Sequence, residues 1–320
     1  MPSAATPGSL PEPDPDVDPC LSPDPRLSPA PALGTEATGA ADRAADRAAG
    51  RRAVPFAGDL RTVRILWRRE MARFLRNRAR LVMGLAAPLL FLFVLGNGIG
   101  SAGGDLGHYQ AFLFPGTLLM VVQGPAVAVG TVIMSDRQSG FLRQMLVAPV
   151  RRGAVLAGIC LGGATTGALY ALPVLALAGP LGVPYRPRLL LVLGGAALLA
   201  FALTALGVSA AVCIRRPQTF QIVSGLAMAP AMLLSGALFP VGGLPPWLGA
   251  AVLANPLSYG VDALRRTMPA PTSADAAPAW FHAGPEWWGW TPPVLLELAL
   301  VVTPPLLLLL LAGRRFARVD

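Results

Sequence analysis

The chain contains no lysine; all 26 of its basic residues are arginine. A phosphate-binding loop of the G-x-x-x-x-G-K-[ST] type needs its Lys to reach the phosphates. That loop is therefore absent, and the chain is not expected to hydrolyse ATP by itself. Charge of either sign is scarce, at 13% of 320 residues. That is about half the density of a soluble domain. Cysteine is scarce too: Cys20 lies in a polar tail, and Cys160 and Cys213 lie in apolar runs. Their spacing suggests neither a disulfide framework nor a metal site. His108 and His282 are far apart in sequence, so no His-rich metal site is expected.

Apolar residues fill the gap. They make up 54% of the chain, and the mean hydropathy is +0.56. With charge this unevenly placed, the composition points to a membrane protein.

Residues 1–57 form a Pro/Ala-rich tail. Ten of the first 31 residues are Pro, interleaved with acids in PEPDPDVDPCLSPDPRLSPAPA. Such a segment buries too little apolar surface to offset its ordering entropy, so it is read as disordered. It lacks the basic start and apolar stretch of a signal peptide.

The next segment, 58–80, reads GDLRTVRILWRREMARFLRNRAR. Leu60, Val63, Trp67, Met71 and Phe74 recur at spacings of 3, 4, 4 and 3, one stripe of a helix. A basic amphipathic helix just ahead of a membrane span is expected to lie in the interface. It has the charge for nucleic acid but no base-reading motif, so no nucleic-acid partner is expected.

Six apolar runs follow, near 81–99, 111–134, 153–179, 189–214, 219–239 and 294–312. The last has 19 residues, about 28 Å of helix at ~1.5 Å per residue, close to the ~30 Å hydrocarbon thickness. Prolines 88, 115, 125, 173, 230, 304 and 305 fall inside these runs, as membrane helices tolerate. With the N-terminus inside, nineteen Arg flank the spans on the inner side and four on the outer. The positive-inside rule then places both termini in the cytoplasm of a multi-pass protein of the bacterial plasma membrane. Trp67 and the five Trp between 247 and 290 all fall near span ends, as an aromatic belt requires. The fold class is thus an all-α membrane protein: six transmembrane helices, an N-terminal amphipathic interfacial helix, and a re-entrant outer helix pair at 240–292 before the last span.

Residues 135–152, SDRQSGFLRQMLVAPVRR, interrupt the apolar pattern on the inner side. Ser135 and Asp136 can cap a short helix that Pro149 ends. Phe141, Leu142, Met145 and Leu146 form its apolar face, and no soluble core within the chain covers that face. It can lie flat on the membrane or dock in a groove of a separate protein.

The stretch DRQSGFLRQMLVAPVRR after the second span resembles the coupling segment of ABC type-2 transporter permeases. NPLSYGVDALRR at 255–266 resembles the signature those permeases carry before their last span. The nearest branch is that of daunorubicin-resistance-like drug exporter permeases, and the resemblance covers about 58–318. It implies a half-transporter that pairs with a second copy of itself within membrane lipid, above a separate ATP-binding cassette subunit. ATP and Mg would belong to that partner, with no cofactor in this chain. Asp136, Arg137, Gln138, Gly140, Leu142 and Leu146 would couple ATP-driven closure to the spans. The family often has a second acid where this chain has Gln138. Asn255, Pro256, Tyr259, Asp262 and Arg265 carry the signature.

The substrate path, for a hydrophobic drug-like or lipid-like molecule, is expected among polar groups within spans: Gln123, Tyr170, Gln221 and Glu297. Span threonines are expected to bond the preceding turn. Glu297, the only acid inside a span, can snorkel to the interface or serve as a proton or cation contact. Asp262 with Arg265 and Arg266 suggests i,i+3 and i,i+4 pairs. Gly96-x-x-x-Gly100 and Gly163-x-x-x-Gly167 permit close helix approach. The alternative function is a proton-coupled secondary transporter using Glu297, although no internal repeat supports it. A membrane-embedded enzyme is poorly served by the one near pair, Asp105 and His108.

Overall fold

A computed structural model describes residues 56–103, 106–138, 152–214, 216–269, 284–287 and 289–316. Among these, nine α-helices account for nearly all the structure, and the only β-type pairing is a bridge between Trp287 and Trp290.

Helix α1 (Phe56–Arg76) carries Asp59 in its first turn and Arg73 and Arg76 in its last, the arrangement that complements the helix dipole. It ends at Asn77, whose side-chain oxygen accepts from the Arg80 backbone N–H at 3.1 Å and so caps α2 (Arg78–Gly103). Next come α3 (Leu106–Gln138), α4 (Arg152–Ala176) and α5 (Arg188–Cys213). Then α6 (Pro217–Leu233) leads to two short helices, α7 (Pro246–Ala254) and α8 (Pro256–Thr267), and α9 (Val294–Phe316) closes the described chain.

Among the described residues, five helices are long and apolar enough to cross a membrane: Arg78–Gly98, Tyr109–Asp136, Gly153–Ala176, Arg188–Cys213 and Val294–Ala312. The fifth run, expected over 219–239, is not among them. Its helix has 17 residues, about 25 Å, and the chain leaves helical geometry after Leu233. Gly236 takes a left-handed φ of 69° there, and side chains of α8 capture the carbonyls of Leu234 and Gly236. Those carbonyls have no helical partner, and the buried bonds from α8 satisfy them.

Helix α5 is the hub, packing on α3, α4, α8 and α9. Its antiparallel contact with α4 is close. Gly163 lies against Thr204 and Gly167 against Ala200, with no room for a Cβ at either glycine. The core includes Phe112, Phe114, Leu118 and Val122 of α3, Leu199 of α5 and Leu264 of α8. The outer helices α2 and α9 are only 17% and 22% buried over their most apolar stretch, against 56% for α3. Leu90, Leu226 and Leu295 stand exposed. Apolar surface of that extent is stable only against an apolar solvent.

The amphipathic stripe of α1 is real, but α4 covers much of it where lipid was expected. Val63 and Leu66 close over Gly158, Glu70 over Gly162, and Phe74 meets Tyr170 edge-on at 5.5 Å between centroids. The two helices run parallel. Glycines 158 and 162 admit α1 closely enough for the Trp67 indole N–H to donate to Thr165 Oγ1 at 3.0 Å. The buried face turns to take in Leu66, while Leu60 at the far end stays exposed.

Candidate functional site

Two regions gather the residues expected to matter, one at each end of α3.

The first is the end at Asp136. The Asp136 carboxylate binds the Arg69 guanidinium and reaches Arg73 at 3.5 Å, so α3 is tied to α1 by charge where the helix finishes. Arg73 also meets Glu70 at 3.5 Å, one turn back along α1. Arg137 and Gln138 complete the helix backbone. Gly140, Leu142 and Leu146 lie outside the described residues.

The second region surrounds α8. Asn255 caps this helix: its side-chain oxygen accepts from Leu257 N at 3.2 Å, and Pro256 occupies the first helical position. The other end of the Asn255 amide donates to Ala231 O in α6 at 2.6 Å. Ser258 Oγ donates to Leu234 O at 3.1 Å. Tyr259 donates its hydroxyl proton to Leu253 O at 2.8 Å and accepts from the Trp287 indole at 2.9 Å. Gly260 packs beneath Leu199 of α5. The signature residues therefore knit α8 into α6, α5 and the segment ahead of α9.

Arg265 is turned into the protein. One of its nitrogens donates to Gly236 O at 2.9 Å, and the guanidinium carbon stands 4.2 Å from the centre of the Phe112 ring. Desolvation lowers its pKa to about 10, with the Asp262 carboxylate acting the other way, so it stays charged at neutral pH. The expected i,i+3 pair with Asp262 does not form as an ion pair; the Gly236 carbonyl in the bend after α6 and the Phe112 ring hold the guanidinium instead. The i,i+4 pair does form: Arg266 Nε is 2.9 Å from Asp262.

Arg266 makes a contact that sequence spacing could not give. It lies 3.3 Å from Glu297 in the first turn of α9 and donates to Pro292 O at 2.8 Å. Glu297 is 0% exposed, so it does not snorkel. The burial follows from one guanidinium serving two carboxylates at the α8–α9 junction. Neither Glu297 oxygen accepts a well-aligned hydrogen bond. Gly284 closes over Asp262 with no room for a Cβ.

The four path candidates do not converge. Gln123 is half-buried on α3, and Gln221 is exposed on α6. Tyr170 is buried on α4 and donates to Arg80 O at 3.1 Å. Glu297 sits in the α8–α9 cluster. The span threonines bond the preceding turn as expected: Thr204 to Ala200 O at 2.6 Å, Thr165 to Leu161 O at 3.0 Å, and Thr166 to Gly162 O. Among the described residues no group of three His, Cys, Asp or Glu could hold a metal ion.

Comparison with known proteins bears on the same stretch. The ABC-2 type transporter family matches residues 61–268, from the second turn of α1 to the end of α8. The chain is similar to the daunorubicin resistance ABC transporter permease protein DrrB1 of Streptomyces coeruleorubidus, with 31% identity over 65% of this chain and 74% of that one. It is similar to nodulation protein J of Rhizobium leguminosarum bv. trifolii, with 30% identity over 63% of this chain and 79% of the relative. The inner membrane transport permease YadH of Escherichia coli matches at 28% identity over 62% of this chain and 80% of its own.

Proposed function

We propose a function from one premise: this chain belongs to the ABC-2 type transporter family. It is the membrane subunit of an ABC exporter, a multi-pass protein of the bacterial inner membrane. Chemistry on ATP belongs to a separate ATP-binding cassette subunit. The absence of any lysine, and so of a phosphate-binding loop, supports that division.

In this reading the motor docks at 135–152, on the cytoplasmic side, with both termini on that side. The membrane domain runs over 58–320 and the Pro/Ala-rich tail over 1–57. The observation that carries the proposal is the tie of Asp136 to Arg69 and Arg73. A push on the segment after α3 acts on α3 directly and on α1 through this charge pair. α1 passes it to α4 along the face at Gly158 and Gly162. Motor closure then shifts the population between two arrangements of the spans. Two copies would pair, and a hydrophobic drug-like or lipid-like substrate would leave between them. The name of the daunorubicin-resistance relative supports that substrate class.

A proton-coupled transporter working through Glu297 is not favoured. That carboxylate is closed in beside Arg266 and away from the other polar span residues. The test is co-purification with an ATP-binding cassette subunit, comparing the native chain with Leu142→Asp/Leu146→Asp. Capture by the native chain and its loss in the variant support the reading. Equal capture by both removes the docking segment from it.

A further inference from the structure

A cavity of about 400 Å³ lies within a single copy, between α1, α2, α3 and α4. Its lining mixes charged side chains, Glu70, Arg73 and Arg80, with the aromatic and small residues Phe74, Tyr170 and Gly124. Met83, at the rim, is 76% exposed, so the cavity opens onto the apolar outer face of α2.

The charged part of the lining carries surplus positive charge. Arg69 and Arg73 are balanced by Glu70 and Asp136. Arg80 has no carboxylate partner among the described residues, and what remains is one unmatched guanidinium. Arg80 stands two residues after Arg78, where the apolar run of α2 begins. That is where head groups meet a spanning helix.

The aromatic part of the lining offers little to hydrogen-bond. The Tyr170 hydroxyl is committed to Arg80 O, and its ring meets Phe74 edge-on. Gly124 is exposed, and nothing lies within 4 Å of where its Cβ would stand, so this wall is open space. A volume of about 400 Å³ falls at the lower end of small-molecule pockets, which run ~300–1,000 Å³. It suits one aliphatic chain.

We propose that this cavity binds an anionic amphiphile, a single aliphatic chain lying along Tyr170 and Gly124 with a phosphate or carboxylate head at Arg80. The open rim at Met83 lets the ligand enter sideways from the bilayer. The proposal goes beyond the exporter reading, since binding here needs neither a motor nor a second copy.

The test uses the full chain in nanodiscs of zwitterionic lipid and a photoactivatable dodecyl phosphate, with labelled residues mapped by mass spectrometry. Label is expected to concentrate around Gly124–Ala128 and Thr166–Tyr170. Unlabelled dodecyl phosphate should compete, and dodecyltrimethylammonium should not. Arg80→Gln should lower labelling about tenfold through loss of the charged contact, and Arg80→Lys should retain it. Gly124→Leu should abolish labelling by filling the cavity, with the unfolding temperature recorded alongside. If that variant unfolds, the Arg80 pair decides alone. Label spread evenly over the exposed faces of α2, α6 and α9 overturns the proposal, as does equal competition by the cation. A second arm adds an ATP-binding cassette subunit and ATP. Label that falls with turnover identifies exported cargo, and unchanged label identifies a resident lipid; either result keeps the site. Failure of the exporter reading leaves the first arm untouched.

Discussion

Arg266 in the last turn of α8 reaches Glu297 in the first turn of α9 at 3.3 Å, while its Nε holds Asp262 at 2.9 Å. One cation thus bridges two carboxylates that are 3% and 0% exposed. Breaking a buried pair from the cationic side leaves uncompensated charge. Arg266→Gln should cost about 3–5 kcal/mol, read as a lowered unfolding temperature in detergent. Glu297→Gln removes one of the two acids and should cost much less. The double variant should recover part of the loss; no recovery would mean the two residues act separately.

Arg265 supports the bend after α6 by a bond to Gly236 O and a stack on Phe112. Lysine cannot present a planar cation to the ring and the carbonyl together. Arg265→Lys should therefore destabilise by about 1.5–3 kcal/mol. Phe112→Leu keeps the volume nearly filled and loses only the ring, so it should cost less. Equal unfolding temperatures for Arg265→Lys and the native chain would count against the stack.

The α4–α5 contact depends on Gly163. A methyl there overlaps the Thr204 side chain, so Gly163→Ala should cost about 1–3 kcal/mol. Gly194, on α5, faces open space. Gly194→Ala should leave stability unchanged or raise it by up to ~1 kcal/mol through helix propensity. Thermal unfolding of the two variants side by side separates tight approach from a general intolerance of alanine.

Asp136 is partly exposed, and so are Arg69 and Arg73. Asp136→Asn should cost no more than about 1 kcal/mol of stability. Its expected effect is on coupling: ATP turnover by a reconstituted complex persists while transport per ATP falls. A variant that transports normally would show that α1 is not driven through this pair.

Much of the fold was legible because it is written locally. A run of about twenty apolar residues needs no partner to declare itself, so α2, α3, α4, α5 and α9 match the expected runs. Threonines bonding the preceding turn follow from one helix alone. What escaped prediction is tertiary. The fifth run stops at Leu233 because Asn255, Ser258 and Arg265, more than twenty residues on, claim its last carbonyls and those of the bend. The α1 stripe showed that a face would be buried, but the glycines that bury it belong to α4. Glu297 looked free to reach water because Arg266 lies 31 positions away and is brought to it only by the turn before α9. Gln123, Tyr170 and Gln221 share polarity but point to different surroundings, and polarity alone does not specify a face.

The most direct test of the central claim is substrate accumulation in proteoliposomes containing this chain with and without an ATP-binding cassette subunit. A fluorescent hydrophobic cation and an anionic amphiphile serve as probes. The account predicts uphill movement of at least one probe only when both subunits and ATP are present, lost in Leu142→Asp/Leu146→Asp. Accumulation by this chain alone, driven by a proton gradient and abolished by Glu297→Ala, would contradict it.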